Sequence, residues 1–274
     1  MDSKMMTISS PRRSFGRTLA SLAILAGLAL GVAGQVSPAR AADEPEIKKI
    51  DWPFIGVFGT YDTNALRRGY KVYKEVCSNC HSLNLVHFRN LSEVGGPHFS
   101  EAQVKALAAT FQVTDGPNKE GDMFQRPGLP SDPFPAPYAN EEAARAALGG
   151  ALPPDLSVMA KALEGGPDGI HSILTGYKDA PAGFKLQDGL HYNPAFPGSQ
   201  IAMPPPLSDG QVDFADGTPN TVDQMAKDVA QFLMWAAEPK LDQRHQMGFM
   251  VLIYLGVLAG LLYFVTRKVW ADQH

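Results

Sequence analysis

The sequence predicts a mainly α-helical domain with long proline- and glycine-rich loops, followed by one transmembrane helix near the C-terminus. Three observations carry that expectation. Apolar side chains recur at helical spacing in several capped segments between residues 62 and 237. No alternating apolar and polar run is long or regular enough for a substantial sheet. Residues 247–266 carry no charge, and at about 1.5 Å per residue they span a hydrocarbon core of about 30 Å.

At the N-terminus, Arg12, Arg13 and Arg17 precede an apolar run over residues 19–32, and Ala39, Arg40 and Ala41 form a small-residue cleavage pattern. Residues 1–41 therefore read as a cleaved export signal, and residues 42–243 as one domain large enough to bury a core. Its first helix covers residues 62–76 and lines up Ala65, Leu66, Gly69, Tyr70, Tyr73 and Val76. Ser100 and Gln103 pattern a capping box for a helix whose apolar side is Val104, Leu107, Ala108 and Phe111. Asn140 before Glu141 and Glu142 starts another, which Gly149 stops. Two shorter helices end at the Gly165 and Gly166 pair and at Gly176. Thr221 and Gln224 suggest a second capping box, opening an amphipathic run from Val222 through Phe232 and Leu233 that Pro239 ends. Gly69 and Tyr73 are expected to receive Phe232 and Trp235.

Residues 244–268 form the anchor. Arg267 and Lys268 follow the apolar stretch directly, so the positive-inside rule places residues 269–274 in the cytoplasm and the preceding domain outside. Gly256 and Gly260 are either a close-approach face for another helix or the glycines common in membrane helices.

The most informative local pattern is Cys77, Ser78, Asn79, Cys80 and His81. Two thiols three positions apart lie about one helical turn from each other, the spacing at which both can add to one haem while the next residue ligates its iron. One covalent haem c per chain is the expected cofactor, with His81 as proximal ligand. A redox dithiol does not need the trailing histidine, and a closed zinc site needs four ligands where the chain holds two cysteines. With both cysteines used, no structural disulfide is expected.

The opposite face of such an iron decides between electron transfer and ligand chemistry. Met203 is the best candidate, because Pro204, Pro205 and Pro206 stiffen the backbone that presents it. Met159, Met225 and Met234 fall in helical patterns, Met123 in a loop, and His87, His98, His171 and His191 are weaker candidates. A haem enzyme would need that site vacant, with His191 and Tyr192 as the polar groups beside it.

Between residues 42 and 243 there are 26 acidic and 16 basic side chains. That surplus repels a polyanion such as nucleic acid; an acidic surface either recruits a cationic protein or only keeps the domain soluble.

Several segments together resemble the cytochrome c1 family: CSNCHSL at 77–83, LPPDLS at 152–157, LTGY at 174–177, NPAFPGSQIAMPPPL at 193–207, DGTP at 216–219 and FLMWAAEP at 232–239, before one C-terminal anchor. The resemblance covers nearly all of residues 43–270. It implies a class I cytochrome c-like haem domain, thioether bonds at Cys77 and Cys80, and an axial pair of His81 and Met203. It also implies a redox subunit of ubiquinol:cytochrome c oxidoreductase, not an enzyme alone. Such a subunit sits beside cytochrome b, takes electrons from a Rieske iron-sulfur protein and passes them to a soluble c-type cytochrome; the export signal fits a bacterial inner membrane best, with a mitochondrial setting left open. Where some relatives carry a basic residue before the double glycine, this chain has Leu163 and Glu164, with Lys161 earlier. Arg126 is a second candidate cation for the haem propionates.

Overall fold

Helix α1 (Thr63–Glu75) starts at Asp62, whose carboxylate accepts from the backbone N–H groups of Asn64 at 2.8 Å and Ala65 at 3.3 Å. This computed structural model describes residues 44–273, so the export signal expected over residues 1–41 lies outside the described residues. Helix α2 (Glu101–Ala108) carries the expected reciprocal box: Gln103 N–H donates to Ser100 Oγ at 3.2 Å, and Ser100 N–H to Gln103 Oε1 at 2.8 Å. Strands β1 (Gln112–Asp115) and β2 (Phe124–Pro127) form a short antiparallel hairpin with Gln112 opposite Pro127. Helix α3 (Glu141–Ala147) is capped by Asn140, and α4 (Met159–Ala162) and α5 (Pro167–Thr175) follow. A two-residue pair, β3 (His191–Tyr192) with β4 (Gln200–Ile201), precedes α6 (Val222–Ala237) and α7 (Leu241–Val269).

The core forms where α1 crosses α6, and α4 and α5 pack on α6 from the other side. Leu66, Gly69, Tyr70 and Tyr73 of α1 are buried against Val229, Phe232 and Trp235. Gly69 sits at the crossing: a Cβ there would lie 2.0 Å from the Asp228 carbonyl oxygen and 2.7 Å from Phe232 Cβ, so only glycine lets the two backbones approach this closely. The Phe232 ring lies 5.8 Å from both Tyr70 and Tyr73, within the range of favourable aromatic pairs. Trp235 packs on Phe232 at 5.5 Å and reaches across to Gly96.

Two sequence expectations need correction. Thr221 accepts from Gln224 N–H at 3.3 Å, but the Gln224 side chain turns away and donates to Asp228 Oδ1 at 3.1 Å, so this box is half formed. The reason is one turn further on: Asp228 is 1% exposed, and a buried carboxylate must be fully hydrogen-bonded. Arg68 supplies the rest of its shell with a two-pronged contact at 2.7 and 2.9 Å. Phe111 falls beyond the end of α2, in the turn that leads to β1.

Pro239 ends α6, but the chain turns at once into α7, which begins six residues before the uncharged stretch. Leu241 is buried in the domain, and Asp242 accepts from Tyr61 N–H at 3.2 Å. The first turn of α7 thus belongs to the domain's packing, and the remainder is long and apolar enough to cross a membrane.

Candidate haem-binding site

Helix α1 delivers the cysteine motif directly into a 3-10 turn, Cys77–Asn79. The N–H groups of Cys80 and His81 both donate to the Cys77 carbonyl, at 3.1 and 2.9 Å. Ser78 Oγ donates to the Lys74 carbonyl and Asn79 Nδ2 to those of Glu75 and Val76, satisfying acceptors that the helix end leaves open. Both sulfurs are half-buried.

His81 is oriented by a segment far along the chain. Its Nδ1 lies 2.8 Å from the Pro154 carbonyl oxygen. A carbonyl only accepts, so Nδ1 carries the proton and Nε2 keeps the lone pair, the tautomer a metal-binding imidazole needs. Burial pushes the His81 pKa down, against the opposing pull of Pro154 and Asp155, which favours the neutral ring that ligation requires.

The supporting segment is itself fixed. Asp155 Oδ2 accepts from Ser82 Oγ at 2.8 Å and Asn84 N–H at 2.9 Å, Leu85 N–H donates to Ser157 Oγ at 3.0 Å, and Leu156 N–H to the Ser82 carbonyl at 2.9 Å. Burial opposes ionisation of Asp155, yet the hydrogen bonds from Ser157, Asn84 and Ser82 hold its carboxyl below the usual range. In the sequence the only sign of this platform is the Pro-Pro-Asp-Leu-Ser turn chemistry.

Met203 follows β4 on a half-buried loop. The pairing of β3 with β4 sets its approach, and Tyr177 Oη donates to the Met203 carbonyl at 2.9 Å from just past the end of α5. The prolines after it complete a backbone held from both sides. Among the other sulfur and imidazole candidates, His191 lies on β3 opposite Ile201, two residues before Met203, and His87 precedes the 3-10 turn Phe88–Ser92. Met225 is buried in the core, with Met159 and Met234 packed against it, and Met123 is exposed. His171 is buried with Nε2 3.0 Å from Asp223, and His98 Nε2 accepts from Gly95 N–H at 3.1 Å.

Neither candidate cation is free. Arg126 is clasped by Asp115 and by both oxygens of Asp132, at 2.6 and 3.0 Å, and Lys161 pairs with Glu238 at 2.7 Å. Among the described residues no three His, Cys, Asp or Glu side chains gather as a metal cluster. The donor set fits a covalent haem: two thiols on one turn, a neutral imidazole with Nε2 available, and a thioether on a restrained loop.

Comparison with known proteins agrees. The sequence profile of the Cytochrome C1 family matches residues 52–273. The chain is a member of the cytochrome c1 family. It is 49% identical to the "Cytochrome b/c1" protein of Bradyrhizobium diazoefficiens over 94% of this chain, although the match spans only 41% of that longer protein. It is 47% identical to "Cytochrome c1 1, heme protein, mitochondrial" of Arabidopsis thaliana, covering 90% of this chain and 81% of that one. With "Cytochrome c1" of Rhodospirillum rubrum the identity is 45% over 91% of this chain and 96% of the relative. As a cytochrome c1 family member the chain is a haem-carrying electron-transfer subunit of the bc1 complex, and its cofactor is a c-type haem.

Proposed function

We propose that this chain takes an electron from a Rieske iron-sulfur protein and passes it to a soluble c-type cytochrome, using a haem bound through Cys77 and Cys80 and ligated by His81 and Met203. The bound haem supplies a one-electron ferric/ferrous couple. The residues supply its setting. His81 presents Nε2 because Pro154 occupies Nδ1, and the Met203 backbone is held by Tyr177 and its prolines; with Met203 as the second ligand, no site would be left for a substrate at the metal. The observation that carries the reading is the His81–Pro154 hydrogen bond, since it defines the tautomer and the direction of the imidazole.

In this reading α7 crosses a bacterial inner membrane beside cytochrome b, with residues 42–243 in the periplasm and residues 269–274 in the cytoplasm. The excess of acidic side chains in the domain steers a cationic acceptor toward it. The decisive experiment is Met203→Leu followed by redox titration and optical spectroscopy of the complex. Loss of the low-spin spectrum with a large fall in midpoint potential is expected; an unchanged spectrum and potential would exclude Met203 as a ligand.

A further inference from the structure

Residues 53–59 turn back on themselves beside the start of α7. Gly59 N–H donates to the Gly56 carbonyl at 3.2 Å and Thr60 N–H to that of Pro53 at 3.1 Å, with Gly56 at a φ of 94° on the bend. The segment is two-sided. Trp52, Phe54 and Tyr61 face the core in a chain of aromatic contacts at 5.5 and 5.3 Å. Ile55, Val57 and Phe58 stand on the outside, 63%, 60% and 76% exposed, and Phe58 is the most exposed large apolar side chain among the described residues. No charged residue lies between Asp51 and Asp62.

Three contacts tie this loop to α7. His245 Nδ1 donates to the Gly59 carbonyl at 2.8 Å, Tyr61 N–H to Asp242 at 3.2 Å, and the Phe58 ring meets Phe249 edge-on with centroids 5.3 Å apart. Phe249 is two residues inside the uncharged stretch, about 3 Å along the helix axis from its start. Hydrocarbon that surrounds Phe249 therefore reaches the ring packed against it.

We propose that residues 55–58 dip into the outer leaflet and form a second membrane contact, lateral to α7. The inference rests on the reading of α7 as the membrane span. Three adjacent apolar side chains are unfavourable in water and favourable at the edge of a bilayer. Within the turn, Ile55 N–H donates to the Trp52 carbonyl at 3.2 Å and the Gly56 carbonyl accepts from Gly59 N–H, so part of the backbone is already paired where the segment meets the bilayer edge. The outward side carries no polar side chain between Pro53 and Gly59, whereas a protein partner would require polar contacts around its apolar centre. A single helix leaves a domain free to swing about its base; a second apolar contact offset from the helix axis restrains that swing and sets how the haem domain tilts over the membrane.

The test is photolabelling of the full-length, haem-loaded protein in its native membrane with a phosphatidylcholine bearing a photoreactive acyl chain, mapped by peptide mass spectrometry. Adducts on Ile55, Val57 or Phe58 are expected at a yield within about threefold of residues 249–253. Leu85, 68% exposed on the loop held by Ser157, is expected to remain unlabelled. Phe58→Asp and, independently, Val57→Asp should cut loop adducts about fivefold or more without changing those on residues 249–253 or the haem spectrum. Adducts confined to residues 247–266 would overturn the proposal. Absence of adducts from both segments would overturn the reading of α7 as well.

Discussion

His81 and Pro154 are 73 positions apart in the chain, yet the imidazole Nδ1 lies 2.8 Å from the proline carbonyl. The residue next to the two cysteines is therefore aimed by a loop far along the chain. Whatever loosens residues 154–157 must loosen the ring.

Asp155→Ala tests that dependence. The substitution removes the acceptor for Ser82 Oγ, Asn84 N–H and Ser157 N–H. Stability is expected to fall by about 1–3 kcal/mol in denaturant unfolding followed at the haem band. Haem content should be unchanged, because the cysteines are untouched, while the electron paramagnetic resonance of the ferric protein broadens as the ring loses its fixed orientation. Wild-type line shape in the variant would show that Asp155 does not position His81.

Tyr177→Phe removes one hydrogen bond, the one to the Met203 carbonyl. A net loss of about 1 kcal/mol is expected. If it falls mainly on the ferrous state, the midpoint potential drops by about 40 mV. Redox titration reads the shift directly, and a retained low-spin spectrum separates weakened ligation from lost ligation.

Gly69→Ala places a Cβ against the Asp228 carbonyl and Phe232, both within a helix that cannot yield locally. The helices must move apart at their crossing, which costs about 1–3 kcal/mol. A lower Tm with an unchanged spectrum below the transition is expected; an unchanged Tm would mean that α1 and α6 separate without loss.

Glu238 joins the domain to the start of α7, accepting from Lys161 at 2.7 Å and from Arg244 at 2.6 Å. Burial alone would raise its pKa, but the two cations outweigh it and hold the folded-state value below the ordinary 4.5. A depressed carboxylate stabilises the fold above its unfolded pKa, and that contribution disappears as pH falls through the folded value. Wild type should therefore lose Tm below about pH 4.5 more steeply than Glu238→Gln, with the variant already less stable near pH 7. Parallel pH profiles would rule out this linkage.

Much of the architecture was legible in the chain. Asp62, Ser100, Asn140 and Thr221 start helices where their side chains meet the next turn's N–H groups, and Gly69 with Phe232 marks the crossing of α1 and α6. The hairpin of β1 and β2 was not legible, since its four-residue strands are mostly exposed and lack an apolar rhythm. The second capping box was misread because a buried carboxylate competes for Gln224.

By itself, the sequence determined what acts within a helical turn or along one uninterrupted stretch: the caps, the cysteine and histidine spacing, and the length of the apolar helix. Tertiary structure alone decided which groups meet across the chain. It gave His81 its partner in Pro154, committed Arg126 to Asp115 and Asp132, and set Phe58 against Phe249. The physical reason is range: a turn is specified by neighbouring residues, whereas a hydrogen bond between distant segments exists only after the core has closed and placed both backbones.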